Sequence, residues 1–313
     1  MSPSPWGRAG TDSIKGIDMR SIIVRLLLSA VLLAAVSGIR AYAGERGLDG
    51  DSLFTYRYKG TERHYRLVVP DSLAQGSPLV IMLHGYGGQA SPDRYMMRDA
   101  ARKYGFAACF PQGEKDARGK PCWNVGYPFQ EGLETDDVGF LCSLARHVAD
   151  RYGLDRRNIF CTGISNGGEM CYLLAYLRPD VFSAFAPLAG LTLEWMYRDL
   201  KAKKPVPLME IHGTADRTSM WHGDPQNKGG WGEYISVPLA VGYWAAVNRC
   251  THEQTDTLYH GSRQIIAHMF KGGQDGNEVW LYEMTGGTHS WTEDDIDTGG
   301  AIWRFFSRYI KKD

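Results

Sequence analysis

Apolar residues fall into short continuous runs along this chain, and these runs predict β-strands. Strands that are covered on both faces, as in a parallel sheet, have continuous apolar runs instead of alternating ones. Seven segments fit this description, at residues 64–70, 78–83, 106–110, 158–162, 182–188, 206–212 and 278–284. The pattern therefore predicts a central sheet that is mostly parallel.

Between these runs, apolar residues recur at three- and four-residue steps, which predicts amphipathic helices. The helical segments are residues 93–104, 135–152, 166–178, 238–249 and 301–311. Strands that alternate with helices predict an α/β protein with helices on both faces of the sheet. Because no linker or repeat interrupts the alternation, we expect residues 44–313 to form one domain.

The N-terminus has the pattern of a secretory signal peptide over residues 1–43. Basic residues precede the apolar run 26–36, and an Ala-Tyr-Ala site ends at Ala43. These are the parts of a cleavable export signal, so we expect a secreted or periplasmic protein with no membrane segment after cleavage. Met19 would itself make a good signal start, which leaves residues 1–18 as an extra leader or as untranslated sequence.

Composition and charge narrow the class of partner. The chain has 35 basic and 35 acidic residues and thus no formal net charge, with 43% hydrophobic residues. Without a basic excess or an acidic tail, charge gives no reason to expect a nucleic-acid partner. The oligomeric state is left open.

Six cysteines in an exported chain are candidates for disulfides. Four of them lie in apolar strands or helices, and we interpret these as buried thiols: Cys109, Cys142, Cys161 and Cys171. Cys122 and Cys250 lie beside expected loops and are the better bridge candidates. No cysteine has zinc-ligand spacing, so we expect no metal site.

The sequence Gly-Ile-Ser-Asn-Gly at residues 163–167 follows a predicted strand and precedes a predicted helix. That context is typical of a nucleophile elbow, in which the serine sits on a sharp strand-to-helix turn. Ser165 is therefore the candidate nucleophile, and a helix N-cap is its alternative role.

A serine nucleophile needs a base and an acid that orients the base. In folds that contain a nucleophile elbow, the acid and then the histidine follow the serine along the chain, each after a later strand. Asp216 follows the strand 206–212 in the sequence His-Gly-Thr-Ala-Asp, and His289 follows the strand 278–284. We expect His289 to be the general base and Asp216 to orient it.

Other polar residues near strand ends are weaker candidates for the same roles. We interpret His84 and His212 as structural histidines, and Asp294 and Asp295 follow His289 too closely to be its acid. Asp136 and Asp137 open a helix, where carboxylates favour the helix dipole; a buried hydrogen bond from Asp137 to the active-site loops is a second possibility for that residue.

Two backbone amides are the expected oxyanion donors. One is the amide of Asn166, directly after the nucleophile. The other comes from the loop His-Gly-Tyr-Gly-Gly after the strand 78–83; we choose Tyr86, with Gly85 as the alternative.

Several tryptophans lie in expected loops near strand ends, where an aromatic face can stack on a phenolic group or a sugar ring. Trp291 is the first candidate for substrate contact, and Trp123 and Trp221 follow. For most of the loop tryptophans, Trp231 included, packing of the loop onto the core is the alternative. The segment 221–233 has the composition of a lid or cleft rim.

Motifs along residues 60–310 resemble the esterase family of the feruloyl esterases and the polyhydroxybutyrate-depolymerase-like proteins. They include LVIMLHGYGG, CWNVGYP, TDDVGFL, RRNIFCTGISNGGEMC, IHGTAD and GGTHSW, in that order. The resemblance implies an α/β-hydrolase fold, a triad of Ser165, Asp216 and His289, and no metal or organic cofactor.

The resemblance also implies a substrate class. We expect a secreted serine esterase that releases feruloyl or other acyl groups from plant cell-wall polysaccharide through an acyl-enzyme. One alternative is a depolymerase of hydroxybutyrate esters; no binding domain follows the last helix, which favours an oligomeric substrate. An alternative of another class is a non-catalytic, carbohydrate-binding homologue.

Overall fold

Ten strands form one sheet in the computed structural model, which describes residues 47–312; the expected signal peptide lies outside them. The sheet order is β1-β2-β4-β3-β5-β6-β7-β10-β9-β8. The strands are β1 Leu48–Tyr58, β2 Thr61–Val69, β3 Leu79–Leu83, β4 Ala107–Pro111, β5 Ile159–Ile164, β6 Ala184–Leu188, β7 Leu208–Gly213, β8 His252–His260, β9 Arg263–Lys271 and β10 Val279–Met284.

The six central strands, from β4 to β10 in sheet order, all run parallel. Antiparallel strands flank them, with β1 and β2 on one side and β9 and β8 on the other. The mostly parallel sheet expected from the apolar runs is confirmed. Since parallel strands end at the same edge, the loops after β3, β5, β7 and β10 meet there.

Within the described residues, six α-helices cover the sheet: α1 Met97–Tyr104, α2 Asp137–Tyr152, α3 Asn166–Leu177, α4 Glu194–Asp199, α5 Val237–Val247 and α6 Thr298–Phe306. The contacts of two neighbouring residues in β5 show that the helices lie on both faces of the sheet. The Phe160 ring stacks on Phe306 of α6 at 4.8 Å, whereas the Cys161 sulfur lies 3.5 Å from that of Cys171 in α3. Because successive strand residues point to opposite faces, α6 and α3 lie on opposite sides.

Side-chain caps fix where several helices begin. The Asp136 carboxylate accepts from the Gly139 amide at 2.8 Å at the start of α2. The Asp297 carboxylate accepts from the Gly300 amide at 2.9 Å at the start of α6. Such caps satisfy amides that the helix itself leaves without partners. Within residues 47–312, no helix has the length and apolar character needed to cross a membrane.

The sequence pattern missed three strands and one short helix: β1, β8, β9 and α4. In β8 the sequence HEQTDTLYH contains no apolar run, because this edge strand is exposed along nearly its whole length. Strand pairing with β9, and not burial, holds it in place. Hydrophobic periodicity therefore carried no signal for it.

All six cysteines are free thiols in the structure. Five are buried, including the four interpreted as buried thiols, and burial raises the pKa of Cys109, Cys142 and Cys171. The suggestion that Cys122 or Cys250 forms a bridge is not supported. Cys122 is instead packed inside the loop that follows β4, where Gln130 Nε2 lies 3.4 Å from its sulfur.

Candidate active site

Ser165 stands on a strained turn between β5 and α3. Its backbone has φ 54° and ψ −123°, a conformation that L-residues rarely adopt. The Ser165 amide donates to the Leu188 carbonyl at 2.8 Å, which fixes the turn to the end of β6. A Cβ on Gly163 would lie 2.7 Å from the Gly167 backbone, so only glycines allow the strand and helix to approach this closely.

Asp216 and His289 come together at the same edge of the sheet. His289 Nδ1 lies 2.8 Å from Asp216 Oδ2, and the carboxylate is buried while the imidazole is about a quarter exposed. The other oxygen of Asp216 accepts from the amides of Thr218 and Ser219, at 2.7 and 2.9 Å. These bonds hold the carboxylate as an acceptor facing the imidazole.

A second buried pair supports Asp216 from behind. Both ring nitrogens of His212 face oxygen acceptors, with Nδ1 2.8 Å from Glu210 and Nε2 2.8 Å from the Ser219 carbonyl. Burial alone would lower the pKa of His212, but the charge and hydrogen bond of Glu210 raise it. His212 Nε2 also lies 3.6 Å from Asp216 Oδ2, so a cationic His212 would stabilise the ionised carboxylate. Its structural role agrees with the interpretation from sequence.

Ser165 and His289 line one cavity of about 400 Å³ at the carboxyl edge of the sheet. The rest of its wall is formed by Met82, Leu83, His84, Gly85, Tyr86, Gly88, Gln89, Ser91, Arg94, Ile164 and Ser290. The structure thus brings the candidate nucleophile, the candidate base and the loop after β3 to one space.

The two expected oxyanion donors have free amides. Among the described residues, neither the Tyr86 nor the Asn166 amide donates to a protein acceptor. The loop that carries Tyr86 is held by His84, whose Nδ1 donates to the Gly85 carbonyl at 2.7 Å and whose Nε2 accepts from the Gly113 amide at 2.9 Å. Burial lowers the pKa of His84, which favours this neutral form.

Trp123 does not contact the cavity, and its prediction as a substrate-binding residue is wrong. Its side chain is completely buried, and its indole Nε1 donates to the His84 carbonyl at 2.9 Å. The backbone of Trp123 forms two hydrogen bonds with the Asn166 side chain, at 2.7 and 3.1 Å. Trp123 therefore joins the loop after β3 to the start of α3.

Trp291 and Trp221 are largely buried and do not line the catalytic cavity, so their substrate contacts stay predictions. Trp291 is 6% exposed; its ring packs on Tyr95 at 5.2 Å and its Nε1 donates to Thr298 at 2.9 Å. Trp221 is 9% exposed and packs edge-on against His212 at 6.0 Å. A position near a catalytic motif in sequence did not determine where either side chain points.

One aromatic side chain lines the cavity and two more pack against it, and none of the three was predicted from the sequence to contact substrate through its side chain. Tyr86 lines the cavity, and its ring meets those of Phe129 and Trp231, each at 5.5 Å. We call Tyr86, Phe129 and Trp231 the rim aromatics; all three are partly exposed. The signal for Trp231 was its place in the segment 221–233, whereas nothing in the sequence singled out Phe129.

A buried acid lies one turn into α3. Glu169 is 1% exposed and accepts a short hydrogen bond from the Tyr127 hydroxyl. Burial raises the pKa of this carboxyl to about 8, although the hydrogen bonds of Tyr127 and Asn166 act in the opposite direction. Asp137 also holds the active-site loops from within: it accepts from the Asn124 amide at 2.8 Å and pairs with Arg63 at 2.7 Å.

No group of histidine, cysteine and acidic side chains among residues 47–312 has the arrangement of a metal site. The groups that the site offers for chemistry are a hydroxyl, an imidazole held by a carboxylate, and free backbone amides. Such a set suits acyl transfer.

Comparisons with known proteins agree with this chemistry. Residues 64–204, which include Ser165, match the family model described as "Esterase PHB depolymerase". The chain is 27% identical over 258 residues to the bifunctional acetylxylan esterase/xylanase XynS20E of Neocallimastix patriciarum, covering 81% of this chain and 34% of that protein. It is 23% identical over 303 residues to feruloyl esterase B of Talaromyces funiculosus, covering 86% and 76%.

Among solved structures, the acetyl xylan esterase from Aspergillus awamori superposes with a TM-score of 0.58 at 17% identity, covering 82% of this chain and 99% of that one. The fold class expected from the sequence is confirmed by this likeness. The family match over residues 64–204 and the esterase relatives support the expected class of carboxylic ester hydrolase. Residues 64–204 of this chain thus match the family model of the PHB-depolymerase esterases, and the chain has the α/β-hydrolase fold.

Proposed function

We propose that this protein is a serine carboxylesterase in which Ser165, His289 and Asp216 form the catalytic triad. The observation that carries the proposal is the strained serine on the wall of a cavity that it shares with His289, whose imidazole is hydrogen-bonded to a buried carboxylate. A strained backbone conformation such as that of Ser165 persists only where the surrounding structure holds it in place, and such residues are common at active sites.

In the proposed reaction, Ser165 Oγ attacks the ester carbonyl as His289 Nε2 takes its proton. The carbonyl oxygen becomes an oxyanion that accepts from the amides of Tyr86 and Asn166. Collapse breaks the bond to the alcohol, which leaves with the proton from His289, and an acyl-enzyme remains. Water then repeats the sequence and releases the acid. Asp216 keeps the Nδ1 proton in place and stabilises the imidazolium throughout.

The substrate that we propose is an acyl ester of plant cell-wall polysaccharide, carrying a feruloyl or acetyl group. The names of the two relatives support this class. The rim aromatics support it physically, because partly exposed rings beside the cavity offer faces for a phenolic group or a sugar. An ester of oligomeric hydroxybutyrate is the second candidate, favoured by the family description. Export to the cell exterior or periplasm is part of the proposal and rests on the N-terminal pattern.

The test is a hydrolysis panel with the purified protein and its Ser165→Ala variant. The substrates are methyl ferulate, an acetylated xylo-oligosaccharide, a 3-hydroxybutyrate trimer and 4-nitrophenyl acetate. Loss of the nucleophile should lower turnover of every cleaved ester by roughly 10³-fold or more. A fluorophosphonate probe should label the parent protein and fail to label the variant.

Ser91→Ala is the matched control for labelling, since Ser91 lines the same cavity without a base beside it. This control should keep the fluorophosphonate label. Near-normal turnover by Ser165→Ala would refute the triad, and silence of the parent on all four esters would favour a non-catalytic binding protein. The ranking of ferulate, acetyl and hydroxybutyrate esters would decide between the two substrate classes.

A further inference from the structure

Arg94 places a permanent positive charge on the wall of the catalytic cavity. It lies between β3 and α1, directly before Tyr95, and lines the cavity together with Ser165 and Ser290. None of the other side chains that form this wall carries a carboxylate. The guanidinium is thus an uncompensated charge in a cavity whose other lining side chains are apolar groups, neutral polar groups and the two histidines His84 and His289.

The guanidinium has no acidic partner among residues 47–312. Its nearest polar contact is the Tyr95 hydroxyl, 3.3 Å from Nη2. Asp93, the adjacent residue, is engaged by Arg98 through an Nε–Oδ1 contact of 2.7 Å. Glu293 lines the adjoining depression with Arg94, but no ion pair joins the two. The guanidinium also lies over the Tyr95 ring, with Cζ 4.8 Å from the ring centroid. Because arginine donors form a rigid fork that matches a carboxylate, a guanidinium without an acidic partner here can bind an anionic ligand.

The backbone around Arg94 is strained and firmly held. Tyr95 and Met96 both have positive φ, 54° and 58°, although neither is glycine. The Tyr95 ring is buried against Trp291, two residues after His289. A Cβ on Gly299, at the start of α6, would lie 2.9 Å from the Met96 carbonyl. Packing against the loop that carries His289 and against α6 therefore fixes the segment that carries Arg94.

Tyr95 connects this charge to the triad. Burial raises the pKa of the Tyr95 hydroxyl, and the charges of Arg94 and Asp216 act on that hydroxyl in opposite directions. One buried ring therefore lies within electrostatic range of both the cavity cation and the candidate catalytic acid. Arg94 lines the same cavity as Ser165 and His289, so it faces the space in which the group attached to the scissile ester would lie.

We propose that Arg94 binds a carboxylate carried by the ester substrate near its scissile carbonyl. The inference rests on the proposed esterase function and adds to it that the preferred substrate is anionic. Two kinds of ester have this chemistry: a hydroxy-acid oligomer with a free terminal carboxylate, and an acylated sugar chain with a uronic-acid branch. In either case the bond that breaks remains the ester, and the carboxylate only binds.

Two matched substrate pairs test the proposal and separate the sources. The first is a 3-hydroxybutyrate dimer as the free acid and as its methyl ester. The second is an acetylated xylo-oligosaccharide with and without a glucuronic-acid branch. For at least one pair, kcat/KM should be about tenfold higher for the anionic member, since a hydrogen bond between two charged groups is stronger than one between neutral groups and exposure to water weakens it. The pair that shows the preference identifies the source.

Arg94→Gln should lower that anionic-to-neutral ratio to about one, and Arg94→Lys should keep part of it. Arg304→Gln is the matched control, because Arg304 is an exposed arginine on α6 outside the cavity; it should leave the ratio as in the parent. Added salt should reduce the preference in the parent and not in Arg94→Gln.

The two proposals fail in different ways. If 4-nitrophenyl acetate and all members of both substrate pairs are not cleaved, the esterase function is wrong. If neutral esters are cleaved but neither anionic member is preferred, or if the ratio is unchanged in Arg94→Gln, Arg94 is not a carboxylate-binding residue and the esterase proposal stands.

Discussion

At the scale of single residues, the site depends on side chains that no substrate touches. Trp123 donates to the carbonyl that precedes Gly85 and Tyr86, and its backbone is bonded to the side chain of Asn166. Both expected oxyanion donors are therefore positioned through one buried residue. A displacement of such donors by a fraction of an ångström weakens the stabilisation of the oxyanion.

Trp123→Phe removes the indole donor and keeps an aromatic ring in the same place. We expect kcat for 4-nitrophenyl acetate to fall by about tenfold with a smaller change in KM, because the loop after β3 loses its tether. Trp244→Phe is the control: Trp244 is equally buried, but its Nε1 has no hydrogen-bond partner in the described structure. It loses similar volume, so a comparable fall in kcat in both variants would contradict the positioning role.

The same residue shows where sequence reasoning ended. The triad positions could be predicted because each stands in a motif that directly follows a strand, and parallel strands end at one edge. The directions of the tryptophan side chains could not be predicted, since a side chain two positions from His289 can point either into the cavity or into the core. Trp291 packs on Tyr95, a contact made by a distant segment that no local pattern reveals.

At the scale of elements, the strand–turn–helix unit around Ser165 is set by backbone contacts. Continuous apolar runs and the three- and four-residue steps between them allowed the central strands and most helices to be predicted. The edge strand β8 could not be predicted, because it is held by strand pairing and faces solvent. The close approach of α3 to β3 was indicated in sequence only by the glycines, and it determines how near Ser165 stands to the loop that carries Tyr86.

Gly167→Ala tests this approach. A Cβ at Gly167 would lie 2.6 Å from the Leu83 carbonyl and 2.8 Å from that of His84, so the helix and the oxyanion loop must separate. We expect a loss of about 1–3 kcal/mol in the free energy of unfolding and a fall in kcat of about tenfold or more.

Gly242→Ala is the control for the loss of a helical glycine. Gly242 lies inside α5, and a Cβ there would meet nothing within 4 Å. This change should raise stability by about 0.5–1 kcal/mol through helix propensity. Urea denaturation measures the stability of both variants, and initial rates measure their kcat. If Gly167→Ala had the stability and the kcat of the parent, the close approach of α3 to the loop after β3 would matter for neither.

At the scale of the whole molecule, the buried acid Glu169 links stability to pH. Folding buries this carboxyl completely and raises its pKa from the ordinary 4.5 to about 8. The unfolded chain therefore releases a proton at a lower pH than the folded chain does. The contribution of the Glu169 carboxyl to the free energy of unfolding is therefore complete below about pH 4.5. It falls as the pH rises and is lost as the pH passes about 8.

Glu169→Gln should remove this dependence, since glutamine stays neutral and keeps an oxygen that can accept from Tyr127. Through the Glu169 carboxyl alone, the free energy of unfolding of the parent should be lower at pH 7 than at pH 4 by at most on the order of 3 kcal/mol. The difference in melting temperature between variant and parent should therefore shift in favour of the variant from pH 5 to pH 8. Glu131→Gln, at an exposed position, should show no such shift. A constant difference for Glu169→Gln across that range would mean that folding leaves the carboxyl ionised, held by the hydrogen bonds of Tyr127 and Asn166 against the cost of burial.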